Sequence, residues 1–360
     1  MIRVMVVDDS TFMRMSIVDA LKKDPEINVV DTAKNGQEAL EKAAKLDLDV
    51  ITLDVEMPKL NGLETVKRLM QTNPVPVIMV SSLTEEGADT TLKALEYGAQ
   101  DFIPKTMSTD KEAFGNELRK KVKAMARRKN IVRLKYHAAS HTKPQPTLHT
   151  QEASPQRTTP RVHPVAAGKG PRDLVVIGVS TGGPPVVQKI LSALPGDLPA
   201  CILIAQHMPA TFTGPFAKRL NSVSKFEVTE AKDGDKLING HAYVCPGGKH
   251  IGLRTKGPLP EVMVTDHPRD ALYKPTVNVL METAGNIMGR RTLGVMLTGM
   301  GADGVEGAQV LRDKGGLLIA QNEASCVVYG MPKAVVDANL ANLVLDADDI
   351  AQAIVATVKG

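Results

Sequence analysis

The chain of 360 residues is long enough for two domains of ordinary size, and its hydrophobic content of 43% is enough to form packed cores. Aromatic residues make up only 3% and Trp is absent, which argues against a protein that binds nucleic acids by base stacking. The net charge of +4 arises from residues 130–171, which contain six Lys or Arg residues and one acid. The remainder of the chain has a net charge near −1, so no basic nucleic-acid-binding face is indicated on a folded domain.

The cysteines and the apolar runs indicate the compartment. Cys201, Cys245 and Cys326 are widely spaced and match no metal-binding pattern, which is typical of buried residues in a reducing environment. Residues 1–7 form too short an apolar run for a signal peptide, and no apolar stretch approaches the roughly 20 residues that cross a bilayer. We therefore expect a cytoplasmic protein with no membrane insertion.

The first third of the chain alternates between apolar runs and helical segments. Ser10 is a favourable N-cap directly after the first apolar run, and residues 37–45 form a second helical segment. Strands are predicted from five apolar runs, at residues 2–7, 29–30, 50–53, 77–80 and 102–104. This alternation predicts an α/β domain with a doubly wound parallel sheet and helices on both faces.

Polar side chains follow four of these strands at their carboxyl ends. Asp8 and Asp9 follow the first strand and Asp54 the third, while Ser81 and Lys105 follow the fourth and fifth. In a doubly wound sheet these ends share one edge, and three crowded carboxylates there favour a divalent cation such as Mg²⁺. Lysine and serine side chains suit a phosphoryl group beside that ion. A lone aspartate at a strand end is more often a helix cap, but five polar residues in this arrangement favour an ion and phosphoryl site.

Residues 1–125 resemble a response-regulator receiver domain. The segments that carry the resemblance are Val-Val-Asp8-Asp9-Ser, Asp54-Val-Glu-Met-Pro-Lys-Leu-Asn-Gly, Val-Ser81-Ser82 and Asp-Phe-Ile-Pro-Lys105. The resemblance implies a flavodoxin-like fold in which Asp54 is phosphorylated, with Mg²⁺ held by Asp8, Asp9 and Asp54. It also implies that Ser81 and Lys105 are the switch residues that respond to the phosphoryl group.

Residues 126–171 have the composition of a flexible linker. From about residue 130, prolines are scattered among Ser, Thr, Gln and His, a mixture that favours a partly extended chain. The irregular spacing of the linker histidines argues against a metal site; they are His137, His141, His149 and His163. The predicted domains are therefore 1–125 for the receiver, 126–171 for the linker and 172–360 for a second domain.

The second half of the chain repeats the α/β pattern. Its apolar runs predict strands at residues 175–179, 201–205, 293–297 and 317–320. Helical segments are predicted at residues 185–194 and 348–358, whereas residues 222–275 are expected to be irregular and rich in turns. This half is thus predicted to be a second doubly wound α/β domain.

Ser180 lies in the segment Gly-Val-Ser-Thr-Gly-Gly at residues 178–183, between a buried strand and a helix that opens with two prolines. Glycines allow a tight turn there, and the helix amino terminus offers free N–H groups to a developing negative charge. The spacing of Gly178 and Gly182 around Ser180 matches that of a nucleophilic serine. A turn that only packs, or one that binds phosphate, fits the same segment.

His207 and Asp303 follow two other predicted strands, so a parallel sheet would bring both close to Ser180. Imidazole is a suitable base for a serine hydroxyl, and a carboxylate behind it fixes its tautomer. Alone, His207 could be a packing histidine and Asp303 a helix cap. Rival bases lie in the irregular region, at His241, His250 and His267. The run 299–301 adds backbone N–H groups for an oxyanion hole.

The order Ser, His, Asp differs from the Ser, Asp, His order of α/β-hydrolases. Residues 172–358 instead resemble the catalytic domain of the chemotaxis receptor methylesterases, through Gly-Val-Ser180-Thr-Gly-Gly, Ala-Gln-His207-Met and Leu-Thr-Gly-Met300-Gly-Ala-Asp303-Gly. The resemblance implies that γ-glutamyl methyl esters on methyl-accepting chemoreceptors are hydrolysed and that some receptor glutamines are deamidated. It also implies a catalytic Ser180, His207 and Asp303, with the Met300 amide at the oxyanion site and no cofactor for this chemistry.

A receiver joined by a linker to such a domain is the arrangement of that family. We therefore expect a phosphorylation-regulated serine hydrolase, with a chemotaxis histidine kinase as phosphodonor and the receiver occluding the Ser180 edge until Asp54 is phosphorylated. A DNA-binding output domain lacks support, because no recognition-helix motif or basic aromatic surface is present. A nucleotide-binding output domain would use residues 174–184, but Ser180 stands where the second glycine of that fingerprint belongs.

Overall fold

The computed structural model describes residues 1–105, 110–133 and 172–359. The chain divides into two compact units, one built on a five-stranded sheet and the other on a seven-stranded sheet. Most of the predicted linker, residues 134–171 with its four histidines, lies outside the described residues. No described helix is long and apolar enough to cross a membrane.

The first unit has five parallel strands in the order β2-β1-β3-β4-β5, which is the flavodoxin-like order. The strands β1 to β5 are Ile2–Val7, Ile27–Ala33, Val50–Asp54, Val77–Ser81 and Asp101–Pro104. The helices are Thr11–Lys22, Gly36–Ala43, Gly62–Thr72, Glu85–Glu96 and Lys111–Ala126, and residues 129–133 are also helical. The predicted α/β receiver fold is confirmed.

Local sequence explains how the helices of this unit begin. The hydroxyl of Ser10 accepts a hydrogen bond from the Met13 amide at 3.3 Å, so the predicted N-cap is confirmed. Gly62 opens the helix after β3, where an added Cβ would lie 2.2 Å from the carbonyl oxygen of Asp54. Only glycine therefore lets this helix approach the end of β3.

The second unit has seven parallel strands in the order β14-β13-β12-β6-β7-β9-β8. These strands, from β6 to β9 and from β12 to β14, are Leu174–Val179, Cys201–Gln206, Glu227–Glu230, His241–Val244, Thr292–Met296, Leu317–Gln321 and Leu343–Leu345. The helices are Gly183–Ala193, Ala210–Val223, Val277–Met288, Val305–Asp313, Met331–Asp337 and Ala347–Lys359, with a 3-10 turn at Gly289–Arg291. The predicted second α/β domain is confirmed, and β12, β6 and β7 are neighbours at its centre.

The expectation of irregular structure over residues 222–275 was wrong. This region contains β8 and β9, which extend the main sheet, and an antiparallel pair, β10 at His250–Thr255 and β11 at Pro260–Thr265. β8 reads Glu-Val-Thr-Glu and lies at the sheet edge, so it lacks the apolar run of a central strand. Pairing with neighbouring strands, rather than local propensity, forms these elements.

The helix Val277–Met288 packs closely on the central strands. Its buried face includes Leu280, Met281 and Ala284, which belong to the main hydrophobic cluster of the unit. An added Cβ at Gly178 would lie 2.3 Å from Cγ1 of Val277, and one at Gly304 would lie 2.7 Å from the same atom. Both glycines therefore allow the first turn of this helix to reach the carboxyl ends of β6 and β12.

Candidate active site

Ser180 stands on a tight turn directly after β6. Its amide donates to the Thr298 carbonyl at 3.0 Å, and its own carbonyl accepts from the Gly183 amide at 2.9 Å. Gly182 takes the left-handed conformation of the turn, with φ of 72°, which glycine adopts readily. An added Cβ there would also lie 2.3 Å from Cβ of Val327, so the position has no room for a side chain. Among described non-glycine residues only Lys59 and Asn339 have positive φ, so Ser180 lacks the backbone strain of an α/β-hydrolase nucleophile.

Ser180, His207 and Asp303 form a continuous hydrogen-bonded chain, as the sequence predicted. The Ser180 hydroxyl lies 3.0 Å from Nδ1 of His207, and Nε2 of His207 lies 2.7 Å from Oδ2 of Asp303. Because the carboxylate can only accept, Nε2 carries the proton and Nδ1 presents its lone pair to the serine. The side chains of His207 and Asp303 are only 9% and 6% exposed, so water competes little for these contacts. The geometry is that of a serine nucleophile with its base.

Asp303 is held by the amino terminus of the helix Val277–Met288. Oδ1 accepts from the Thr276 hydroxyl at 2.5 Å, and Oδ2 accepts from the Val277 amide at 2.7 Å. Burial opposes ionisation of Asp303, but hydrogen bonds from His207, Thr276 and Val277 outweigh it and keep the pKa of the carboxyl below its usual value. The helix dipole favours the same negative charge. Asp303 is therefore ionised at neutral pH.

Three positioning residues at this site were missed by the sequence analysis. The Tyr273 ring stacks on His207, with centroids 4.3 Å apart and planes at 11°. The Gln206 side-chain amide donates to the carbonyls of Ser180 and His207 at 3.0 and 3.1 Å, which ties the two loops together. Thr276 is the N-cap of its helix and follows a proline, so its position before an apolar run could have indicated it.

The backbone around Met300 fits part of the predicted oxyanion site. An added Cβ at Gly299 would lie 2.8 Å from Cβ of Ser180, so this segment lies against the serine. The Gly299 amide itself donates to the Val328 carbonyl at 3.0 Å and is not available, contrary to expectation. Within residues 1–105, 110–133 and 172–359, the amides of Met300 and Thr181 donate to no protein acceptor. The Gly301 amide of the predicted run likewise donates to no acceptor among the described residues, so it stays a candidate for binding an oxyanion together with the amides of Met300 and Thr181.

The rival bases do not reach the serine. His241 is buried, stacks on Tyr243 and lies 2.9 Å from the Thr229 hydroxyl, whereas His267 is exposed to solvent. His250 is buried against the Thr276 amide. The predicted alternative role of Asp303 as cap of the following helix is wrong, because Gly304 occupies that N-cap with φ of 97°.

Asp8, Asp9 and Asp54 meet at the carboxyl ends of β1 and β3. Their ligand atoms lie within 4.8 Å of one another, and Asp8 and Asp54 are buried. Nζ of Lys105 lies 2.7 Å from Oδ2 of Asp54 and 3.2 Å from Oδ2 of Asp8. Burial raises the pKa of Asp54 to about 6. The negative charge of Asp8 contributes in the same direction, whereas the hydrogen bond and the positive charge of Lys105 oppose the shift. Three carboxylates facing one ammonium, with oxygen donors only, fit a hard divalent cation.

Ser81 is buried at the end of β4, where its hydroxyl accepts from the Thr91 hydroxyl at 2.8 Å and donates to the Ser82 carbonyl at 3.2 Å. The predicted switch serine is therefore linked to the helix Glu85–Glu96.

Comparisons with known proteins identify relatives of both units of the chain. The family model of the response regulator receiver domain matches residues 4–113, and that of the CheB methylesterase matches residues 175–354. A protein-glutamate methylesterase/protein-glutamine glutaminase from Lawsonia intracellularis is 55% identical over 357 residues, which cover 98% of each chain. A second relative of this name, from Oleidesulfovibrio alaskensis, is 54% identical over 98% of each chain.

A solved structure supports the fold of the second unit. The CheB methylesterase catalytic domain of Thermotoga maritima matches with 38% identity and a TM-score of 0.50, over 51% of this chain and 97% of that domain. Family models thus match both halves of the chain, and relatives more than half identical match it nearly end to end. The chain belongs to the CheB methylesterase family and carries a response regulator receiver domain at its amino-terminal end.

Proposed function

We propose that Ser180, His207 and Asp303 are the catalytic residues of this methylesterase. The chain is a phosphorylation-regulated hydrolase that removes methyl esters from protein glutamates and deamidates protein glutamines, as its family relationship indicates. The observation that carries the assignment of the residues is the pair of hydrogen bonds through His207, at 3.0 Å to Ser180 and 2.7 Å to Asp303.

Acylation begins when the Ser180 oxygen attacks the ester carbonyl carbon and its proton passes to Nδ1 of His207. The amides of Met300 and Thr181 stabilise the negative charge on the carbonyl oxygen. The imidazolium then returns the proton from Nδ1 to the methoxy oxygen, methanol leaves, and a glutamyl ester of Ser180 remains. Glutamine follows the same route with ammonia as the leaving group.

Deacylation repeats these steps with water as the nucleophile. Nδ1 of His207 takes a proton from the attacking water and returns it to the Ser180 oxygen, which releases the glutamate side chain as a carboxylic acid. This acid then gives up its remaining proton to the solvent and becomes the carboxylate. Asp303 remains ionised throughout, because its hydrogen bonds favour the charged form. It orients the imidazole and stabilises the transient imidazolium, and it does not take the proton itself.

The receiver site is proposed to bind Mg²⁺ through Asp8, Asp9 and Asp54, with Asp54 as the phosphorylated residue. Bound there, the ion supplies positive charge opposite the phosphoryl oxygens. Lys105, already paired with Asp54, pairs with the phosphoryl group, and the Ser81 hydroxyl hydrogen-bonds to it. A chemotaxis histidine kinase is the proposed phosphodonor, and methyl-accepting chemoreceptors are the proposed substrates. The protein itself is proposed to act in the cytoplasm.

The proposed organisation is a receiver at 1–125, a linker at 126–171 and a catalytic domain at 172–360. Phosphorylation of Asp54 is proposed to relieve an inhibition that the receiver exerts on hydrolysis. Nucleic acid is not proposed as a partner, because the sequence has no recognition-helix motif or basic aromatic surface. A nucleotide-binding output domain is not proposed either, because Ser180 is hydrogen-bonded to His207 where the nucleotide fingerprint needs glycine.

The experiment that tests the catalytic residues is methanol release from a methylated receptor, with and without a small-molecule phosphodonor. Ser180→Ala should lower the hydrolysis rate by about four orders of magnitude or more, as loss of a triad serine does. Ser192→Ala, on the exposed surface of the following helix, is the matched control and should remain active. A Ser180→Ala protein with more than about a tenth of wild-type activity would exclude the triad.

A further inference from the structure

His250 is a buried histidine with two directed hydrogen bonds and no contact with the serine. It lies at the start of β10, fully buried. Nε2 lies 3.0 Å from the Pro268 carbonyl oxygen, and Nδ1 lies 3.0 Å from the Thr276 amide nitrogen. Because the carbonyl can only accept and the amide can only donate, the proton is on Nε2 and Nδ1 is the acceptor. The surroundings thus select one neutral tautomer.

The Thr276 amide needs an acceptor from outside its own helix. Thr276 is the N-cap of the helix Val277–Met288, and amides at a helix start have no acceptor within the helix. Nδ1 of His250 supplies that acceptor and so fixes the backbone at Thr276. Three donors to Asp303 extend from this short segment: the Thr276 hydroxyl and the amides of Val277 and Asn278. The orientation of the carboxylate therefore depends on where His250 holds the segment.

Hydrogen bonds link His250 to the nucleophile, joined at Thr276 by the covalent bonds between its amide and its hydroxyl. The series runs through the Thr276 amide, then from the Thr276 hydroxyl to Asp303, from Asp303 to Nε2 of His207, and from Nδ1 of His207 to Ser180. Thr276, Asp303 and His207 are each bonded to the group before and the group after them, so a displacement of His250 would shift the later groups as well. Small displacements of catalytic groups have large effects on rate, because the attack requires aligned atoms.

We propose that neutral His250 is a positioning residue for hydrolysis, which holds Asp303 in place through the Thr276 amide. This inference rests on the proposed catalytic role of Ser180, His207 and Asp303. His250 contacts neither substrate nor the reacting atoms.

The charges around His250 favour its neutral form in sum. Burial lowers the pKa of His250, and nearby Lys274 acts in the same direction. The Pro268 carbonyl and the carboxylates of Asp303 and Asp266 act in the opposite direction but do not outweigh burial. Asp266 is itself paired with Lys249 at 2.7 Å. A proton on Nδ1 would face the Thr276 N–H, so protonation would break the contact that positions Asp303.

Two substitutions separate the two hydrogen bonds of His250. In His250→Asn, the side-chain oxygen takes the place of Nδ1 and accepts from Thr276, while the contact to Pro268 is lost. In His250→Gln, the side-chain amide takes the place of Nε2 and donates to Pro268, while Thr276 loses its acceptor. We expect His250→Gln to lower kcat by about 10- to 100-fold with little change in KM, and His250→Asn to stay within a few-fold of wild type.

The outcome that contradicts the proposal is the reverse order, which would mean that His250 only fastens the Pro268 segment. Equal effects of the two substitutions contradict it as well. Should both proteins fail to fold, ¹⁵N NMR of the wild-type imidazoles still decides the matter. At the pH of the hydrolysis assay the His250 ring should be neutral with its proton on Nε2, as its two hydrogen bonds require. A charged ring, or a proton on Nδ1, excludes the proposed role of His250.

Ser180→Ala in the same assay separates this proposal from the catalytic assignment. Retained activity in Ser180→Ala would remove the triad and with it the basis for His250. An inactive Ser180→Ala protein beside equally active Asn and Gln variants would leave the triad intact and exclude only the positioning role.

Discussion

Nδ1 of His207, rather than Nε2, faces the hydroxyl of Ser180, at 3.0 Å. The other nitrogen, Nε2, faces Asp303 at 2.7 Å. The proton that shuttles during hydrolysis is therefore carried on Nδ1, and the one that stays is carried on Nε2. The imidazole can present its lone pair to the serine only while a full acceptor stands behind Nε2.

Asp303→Asn should preserve the fold and lower kcat by about 10⁴, because the amide no longer selects the tautomer with the proton on Nε2. Methanol release under single-turnover conditions measures this step directly. Asp349→Asn, on the first turn of the last helix, is the control and should behave as wild type. A fall of less than about tenfold in kcat for Asp303→Asn would contradict the role given to the carboxylate.

Thr276→Val should lower kcat by about 10- to 100-fold, because it removes a hydrogen bond to a buried charge while keeping the side-chain shape. Thr276→Ser keeps the hydroxyl and should remain close to wild type. Both proteins should be compared for kcat and for melting temperature, since the valine also loses the N-cap contact to the Asn278 amide. Equal kcat values for the two variants would show that the hydroxyl does not support Asp303.

The stability that Asp303 provides should depend on pH in one direction. Its pKa is lowered in the folded state, so its contribution is present above the unfolded value and is lost as the pH falls through the folded value. The difference in unfolding free energy between wild type and Asp303→Asn should therefore be largest above about pH 5 and shrink below about pH 4. Denaturant unfolding at a series of pH values measures it, and a difference that grows on acidification would contradict the assignment.

Mg²⁺ should stabilise the receiver unit, because it binds the folded site and not the unfolded chain. A concentration of ten times Kd should add about 1.4 kcal/mol to the free energy of unfolding, and chelation should remove it. Asp9→Ala should abolish this response, whereas Asp19→Ala, on the exposed side of the first helix, should keep it. The melting transition with Mg²⁺ and with EDTA is the measurement. An undiminished response in Asp9→Ala would place the ion elsewhere.

Regulation through Asp54 predicts two separate results. Asp54→Ala in the full chain should keep the low basal rate and should not respond to a phosphodonor, since no acyl phosphate can form.

The fragment 150–360 should hydrolyse the same methylated receptor faster than the intact unphosphorylated protein. Initial rates of the two proteins at equal concentration decide the second point. A fragment that is no faster would mean that the receiver activates hydrolysis instead of inhibiting it.

Much of this structure could be predicted from patterns that are local in the sequence. Buried strands such as β1, at Ile2–Val7, read as apolar runs, and the residue that follows such a run must lie at the sheet edge. This is why Asp54, Ser180 and His207 could be placed without a structure. The residue type then indicated the chemistry at each position.

The rest depends on contacts between distant parts of the chain. His250 precedes Thr276 by 26 residues, and Thr276 precedes Asp303 by 27, in a region without a strong local pattern. Nor could the sequence show that the Gly299 amide is used by Val328, because a glycine-rich run leaves every amide formally available. Which donors are free is decided by the folded backbone, and not by composition.

The close packing of Val277 against Gly178 and Gly304 restricts which substitutions can raise the thermal stability of this enzyme. Replacing glycine with alanine is a common way to stabilise a protein, because it lowers the conformational entropy of the unfolded chain. At both positions a methyl group would meet Val277, at 2.3 and 2.7 Å, and push away the helix that carries the donors to Asp303. Stabilising exchanges of this kind must therefore be sought at glycines away from this helix that have both space and ordinary backbone angles. One is Gly214 in the helix Ala210–Val223, where an added Cβ would have its nearest neighbour at 3.9 Å. At Gly178 and Gly304, the space that a stabilising methyl group would fill is the space that the helix needs to position Asp303.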